Sequence, residues 1–264
     1  MYRSLFGLKH DPLGKDCTKL WDNGQIANFE KQFRWLLQSP GLGLLTADPG
    51  LGKTAMLRQI ISSLNPHQYL TYYTCETDFS RVEFYRHLAV LMGLPLSSRR
   101  SQLWRDIKNH ISRLFTDKNI LPILIIDEGQ NLPAEFLRDF PSFLNFVFDS
   151  KDYITVWLVG HTNLAKLIDR QSNIALSSRI QVRYELKPIT DSEAFKNLLI
   201  HAFAQAGCKH TLLSDPAIET IRLASKGNPR QAHIIIATAL RLAADKGINH
   251  LPDDIVKEAI EILK

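Results

Sequence analysis

Three groups of side chains in this sequence have the types and spacing to do chemistry. The first is Leu42 to Thr54, LGLLTADPGLGKT, which reads as an apolar strand, a glycine turn and a helix start. It fits the phosphate-binding pattern G-x-x-x-x-G-K-[ST], with Ala47 standing at the first glycine position. Gly50 and Gly52 let the backbone curl, so that N–H groups of Asp48, Pro49-Gly50-Leu51-Gly52 (the proline excepted), Lys53, Thr54 and Ala55 can line a phosphate cradle. Lys53 is expected at the β- and γ-phosphates and Thr54 on magnesium. The second group is ILIIDEGQNL, Ile123 to Leu132, an apolar strand ending in two carboxylates. Asp127 is expected to hold the magnesium through water, and Glu128 to polarise an attacking water in line with the leaving group. In this order the two groups predict a site for ATP and Mg2+. The third group is Ser97 to Lys118, where six Lys/Arg face two Asp. Arg99, Arg100, Arg105, Lys108 and Arg113 could form a strip that contacts phosphates, or a solvated helix face.

Positioning such groups takes a particular set of elements. Five short runs rich in β-branched and aromatic residues read as strands: 42–46, 69–74, 123–127, 153–159 and 180–186. Helical patterns separate them, and near-continuous apolar strands alternating with helices predict a parallel sheet covered on both faces. After Pro188 the strands stop. Thr190 with Glu193 has capping-box spacing ahead of a helix over 194–206. Asp215-Pro216 and Asn228-Pro229 each place proline at a first helical turn; the helix from Asn228 closes at Lys246-Gly247, and a last amphipathic stretch covers 252–263. The expected fold is therefore α/β, a five-stranded parallel sheet over 1–189 (with an N-terminal segment 1–40), followed by a small all-helical domain over 190–264.

Composition narrows the classes. A chain of 264 residues, 45% hydrophobic and 22% charged, can bury a substantial core and is neither disordered nor fibrous. It shows no apolar run long enough to span a membrane and no signal-peptide pattern. Cys17, Cys75 and Cys208 are scattered, which argues against a disulfide framework or zinc cluster and for a reducing cytoplasm. A sequence pI near 9.1 permits a nucleic-acid partner without demanding one. Trp104 and Trp157 sit within apolar periodicity and read as core.

Together, ADPGLGKT, IIDEGQNL and Gly227-Asn228-Pro229-Arg230 resemble the AAA+ ATPases over essentially the whole chain, and more narrowly the ExeA-like group. That group is similar to the ATPases that accompany DNA transposases, the TnsC, TniB, IstB and MuB types, and the opening MYRSLFGLKHDPLG is similar to ExeA-like N-termini. The resemblance implies a P-loop sheet with a helical lid. It places sensor 1 at His161 or Thr162, and an arginine finger, supplied to the neighbouring subunit, at Arg179 in LSSRI, with Arg170 as competitor. Arg230 corresponds to the sensor 2 arginine, aimed from the lid at nucleotide. Arg81, opening the helix after the second strand, joins the strip 99–113 as a candidate for the pore that DNA-binding relatives line on this side.

The resemblance thus implies an ATP-dependent DNA-transposition regulator that assembles as a homo-oligomer on duplex DNA, grips its backbone with weak sequence specificity, and recruits a transposase. A secretion-type ExeA ATPase is the first alternative; it is expected to bring a transmembrane segment and a cell-wall-binding extension. A non-hydrolysing nucleotide-dependent scaffold is the second, opposed by the intact Lys53, Asp127 and Glu128.

Overall fold

The computed structural model describes residues 2–17, 19–208 and 212–264. Helices α1 (Tyr2–Leu5) and α2 (Gln25–Gln38) precede β1 (Leu42–Ala47), and α3 (Lys53–Ser62) leads to β2 (Tyr69–Thr74). Helices α4 (Arg81–Leu91) and α5 (Arg100–Thr116) separate β2 from β3 (Leu121–Ile126). Next come α6 (Ala134–Phe143), β4 (Thr155–Gly160), α7 (Thr162–Ile168), α8 (Ile174–Ser177) and β5 (Ile180–Leu186). Among the described residues, β5 is followed by α9 (Ser192–Gln205), α10 (Asp215–Ser225), α11 (Pro229–Asp245) and α12 (Asp253–Ile262).

The chain divides into two compact units. The α/β unit comprises Ala27–Asp48 and Ile60–Leu186; the helical unit comprises Met1–Ile26, Pro49–Gln59 and Lys187–Lys264. The glycine loop thus belongs with the lid helices and the N-terminal segment.

The sheet has the order β2-β3-β4-β1-β5, with every neighbouring pair parallel. Position in the sheet explains the sequence patterns. Central β1, β3 and β4 are buried at every residue, while edge strands β2 and β5 mix buried with exposed positions. Strand β3 begins at Leu121, two residues before the sequence reading, because Pro122 fits where only β2 is paired; pairing with β4 starts at Ile123↔Thr155. Strand β4 begins at Thr155 rather than Tyr153, whose ring instead stacks on Phe115.

Trp157 of β4 is fully buried, stacked on Phe33 at 5.3 Å, and lies against Gly43, its register partner in β1. A Cβ at Gly43 would sit 2.6 Å from the indole, so only glycine admits the ring. Trp104 stacks on buried Tyr85. Both tryptophans are packing residues.

In the helical unit, Phe195, Leu199, Ile221, Ile236, Leu240 and Val256 form the core. The cap of α9 is Asp191, whose Oδ1 accepts the Ala194 N–H at 2.8 Å, and not Thr190. The capping box expected from Thr190 and Glu193 is absent because an aspartate one residue later offers the stronger acceptor. Asn228 caps α11 as its sequence predicts, accepting N–H groups of Arg230 and Gln231.

Candidate functional site

The glycine loop is shaped by two left-handed residues, Gly50 at φ +88° and Gly52 at φ +98°. Side chains avoid these angles, so the curl depends on glycine at both positions. Among the described residues, its two chain neighbours aside, no atom lies within 4 Å of a Cβ built on Gly52, which leaves open space over the curled backbone. Lys53 opens α3 and is 7% exposed. A loop curled by two glycines and followed at once by a helix N-terminus and a buried lysine is an arrangement that fits a phosphate chain.

The loop is held from behind by the start of α11. Asn228 Nδ2 donates to the Pro49 carbonyl at 2.8 Å, and the Arg230 N–H donates to the Gly50 carbonyl at 3.3 Å. A Cβ on Gly50 would come within 2.6 Å of Arg230 Cβ and 2.7 Å of Asn228 Oδ1. Lys226 and Gly227 both adopt positive φ to make this turn, and Gly227 packs so closely on Ile189 that a side chain would overlap its backbone. Arg230 is exposed, its stem lying along Gly50.

In the α/β unit the acidic residues lie at the C-terminal edge of the sheet, where open parallel sheets bind ligands. Asp127, buried, follows the last residue of β3; its Oδ1 accepts the Glu128 N–H at 2.9 Å and its Oδ2 accepts the Tyr73 hydroxyl at 3.1 Å. Burial first, and then Asp127, pushes the Tyr73 pKa well above the ordinary phenol value, so the hydroxyl stays a donor. Glu128 adopts φ 54°, ψ 35°, a left-handed conformation costly for a side-chain-bearing residue. Its carbonyl accepts from Thr77 Oγ1 at 3.0 Å, and its Oε2 accepts from Gln130 Nε2 at 2.7 Å. His161 Nε2 stands 3.6 Å from the same Oε2, whereas Thr162 Oγ1 donates to Asp48 Oδ1 at 3.4 Å. Of the two sensor 1 candidates, His161 faces Glu128. The Asp127 carboxylate is a hard oxygen donor of the kind magnesium prefers.

The basic residues divide differently. Arg179 makes a two-point ion pair with Asp149, at 2.9 and 2.7 Å. That hydrogen bonding holds the Asp149 carboxyl below its ordinary pKa and raises Arg179. Arg170 is exposed. Arg81 and Arg100 converge on one oxygen of Asp139, at 2.7 and 2.5 Å, and Arg100 also lies 5.0 Å over the Trp104 ring. Lys108 donates to the Asn145 carbonyl and sits over Phe146, and burial lowers its pKa. Of the proposed strip, Arg99, Arg105 and Arg113 are exposed. Arg81, Arg100 and Lys108 are engaged within the chain, so the structure does not gather the strip into one free cationic face.

Residues 36–168 match the family model described as AAA domain, half of the chain and the part that carries both the glycine loop and the acidic strand end. The chain belongs to the AAA domain family. Its fold is the AAA+ P-loop fold, as the sequence resemblance implies. This AAA domain protein is similar to General secretion pathway protein A of Aeromonas hydrophila, 25% identical over 271 positions that cover 99% of this chain and 48% of the relative. The chain thus spans about half the length of that relative. Among solved structures it resembles Cdc6p from Pyrobaculum aerophilum (TM-score 0.70, 17% identity, 97% of this chain and 70% of that one). It also resembles the Aeropyrum pernix ORC1 protein in complex with DNA (TM-score 0.69, 16%, 95% and 68%) and the Thermotoga maritima RuvB Holliday junction branch migration motor (0.60, 20%, 92% and 70%).

Sequence reasoning did not single out Gln130, Tyr73 or Thr77, which hold Glu128 and Asp127. Gln130 lies inside the quoted motif IIDEGQNL, two residues from the catalytic candidate; Tyr73 and Thr77 come from β2 and the turn after it, with no sequence signal tying them to the acidic pair.

Proposed function

We propose that this AAA domain protein hydrolyses ATP with Mg2+ and uses the cycle to assemble and disassemble a homo-oligomer. The observation that carries this reading is the complete set Lys53, Thr54, Asp127 and Glu128 inside the matched AAA segment. Residues 1–189 would form the nucleotide-binding module and 190–264 its lid. The cradle from Asp48 to Ala55 would bind the phosphates, with Lys53 against the β- and γ-groups. Thr54 and Asp127 would hold magnesium, which supplies charge neutralisation at the phosphates. Glu128 would orient and polarise the attacking water, and His161 would report the state of that carboxylate. Arg179 would be given to the neighbouring subunit's γ-phosphate, and Arg230 would close over the nucleotide from the lid.

For the use of this cycle, our reading is a bacterial, cytoplasmic regulator of DNA transposition that assembles on duplex DNA and recruits a transposase. The Aeropyrum pernix ORC1 protein, solved in complex with DNA, shares this fold, which supports a DNA partner at the level of fold only. The similarity to General secretion pathway protein A favours a second reading, an ATPase of secretion-system assembly whose partner is a protein.

Steady-state ATP hydrolysis with and without duplex DNA, at low and moderate salt, with sedimentation of the same mixtures, separates the two. DNA-stimulated turnover and ATP-dependent assembly that weaken as salt rises are the expected result, because backbone contacts release counterions. Hydrolysis indifferent to DNA would remove the transposition reading and leave the secretion one.

A further inference from the structure

Gln130 bridges two parts of the acidic edge with one side chain. Its Nε2 donates to Glu128 Oε2 at 2.7 Å, and its Oε1 accepts the His161 backbone N–H at 3.1 Å. Chemistry fixes this orientation of the amide: a carboxylate only accepts and a backbone N–H only donates, so the reversed amide would lose both bonds. The Glu128 backbone is already pinned by Thr77 and by Asp127 Oδ1, which leaves its side-chain torsions as the remaining freedom. Gln130 removes that freedom. A neighbouring glycine makes room for it: a Cβ at Gly160 would overlap Gln130 Oε1. Gly160 is the last residue of β4, and His161 follows it.

We propose that Gln130 is a positioning residue for hydrolysis, setting the Glu128 carboxylate and tying its position to the end of β4. This rests on the reading of Glu128 as the group that polarises water. Nucleotide binding does not require the bridge, because the cradle and Lys53 lie in a different segment. The effect therefore belongs in kcat and not in affinity.

The test uses the full chain, ATP and Mg2+, measuring kcat, KM, binding of a fluorescent ATP analogue and melting temperature. Gln130→Met keeps the volume and removes both bonds, and it should lower kcat by about ten- to a hundredfold with KM and analogue affinity within about twofold. Gly160→Ala, which displaces the Gln130 amide without touching any charged group, should give a loss of the same kind. The double variant should be no slower than the slower single one, since both remove the same bridge. Glu128→Gln is the control for the underlying reading. If Glu128→Gln is inactive while Gln130→Met turns over at the wild-type rate, or loses affinity in proportion to rate, the positioning role is overturned. If Glu128→Gln itself hydrolyses ATP at the wild-type rate, the reading beneath it fails instead.

Discussion

Asn228 serves two neighbours with the two ends of one amide. Its Oδ1 caps α11 through the Arg230 and Gln231 N–H groups, and its Nδ2 ties down the Pro49 carbonyl of the glycine loop. These roles separate by mutation. Asn228→Ala should cost about 1 kcal/mol as a lost cap, lowering the melting temperature by about 2–4 °C for a chain of this size, and should weaken nucleotide binding. Asn228→Ser keeps a capping oxygen but is too short to reach Pro49, so it should restore most of the melting temperature and leave the binding defect. Calorimetry with a nucleotide titration checks both, and full recovery of affinity by serine would show that the Pro49 tie is irrelevant. The sequence made only the first role legible, because Asn-Pro is a local helix-start signal whereas a contact across 179 positions has no local signature. The same holds for Arg179, whose place before β5 was readable from LSSRI but whose partner Asp149 lies 30 residues earlier.

At the scale of elements, burial decided which patterns were readable. Strands β2 and β5 have the bounds their sequences predict, while β3 and β4 shift by two residues where Pro122 and Tyr153 blur the apolar run. Helix α5 shows how one element carries both packing and charge. Leu103, Ile107, Ile111 and Leu114 bury one face, and His110 between them reaches β2, its Nε2 lying 2.8 Å from the Tyr72 hydroxyl. Burial pushes Tyr72 up to about 12, so the phenol stays protonated and the pair is a neutral one. Burial, with Lys118 and Arg113 nearby, lowers the His110 pKa from 6.5. Because the folded value lies below the unfolded one, the unfolded chain takes up the proton first as pH falls. The contribution is intact above 6.5 and is lost as pH drops from there through the lower folded value. His110→Gln, which stays neutral, should flatten the fall in melting temperature of the protein between about pH 7 and pH 5. An unchanged slope in that variant would place the acid sensitivity elsewhere.

For the molecule as a whole, the order of motifs was the most legible feature, and the grouping of segments was the least. Three separated stretches make the helical unit, and the glycine loop is one of them; long-range burial creates this grouping, and no local pattern announces it. Assembly is the property that the proposed mechanism requires at this scale. Arg179 is held by Asp149 of its own chain, so a finger acting on a neighbour must exchange that carboxylate for the γ-phosphate. The exchange is feasible because the pair is partly exposed, at 29% and 46%, where solvent screens the attraction. Lys53→Ala should fail to bind ATP yet still offer Arg179, whereas Arg179→Ala should bind ATP yet lack the finger. Each alone should be nearly inactive. Mixed at equal concentration, they should recover part of the wild-type rate, because an Arg179→Ala site can receive the arginine of a Lys53→Ala neighbour. A finger acting within its own chain predicts no recovery at any ratio, since every chain in the mixture then lacks one of the two groups. Hydrolysis measured across a series of mixing ratios therefore reads directly whether the arginine crosses between subunits.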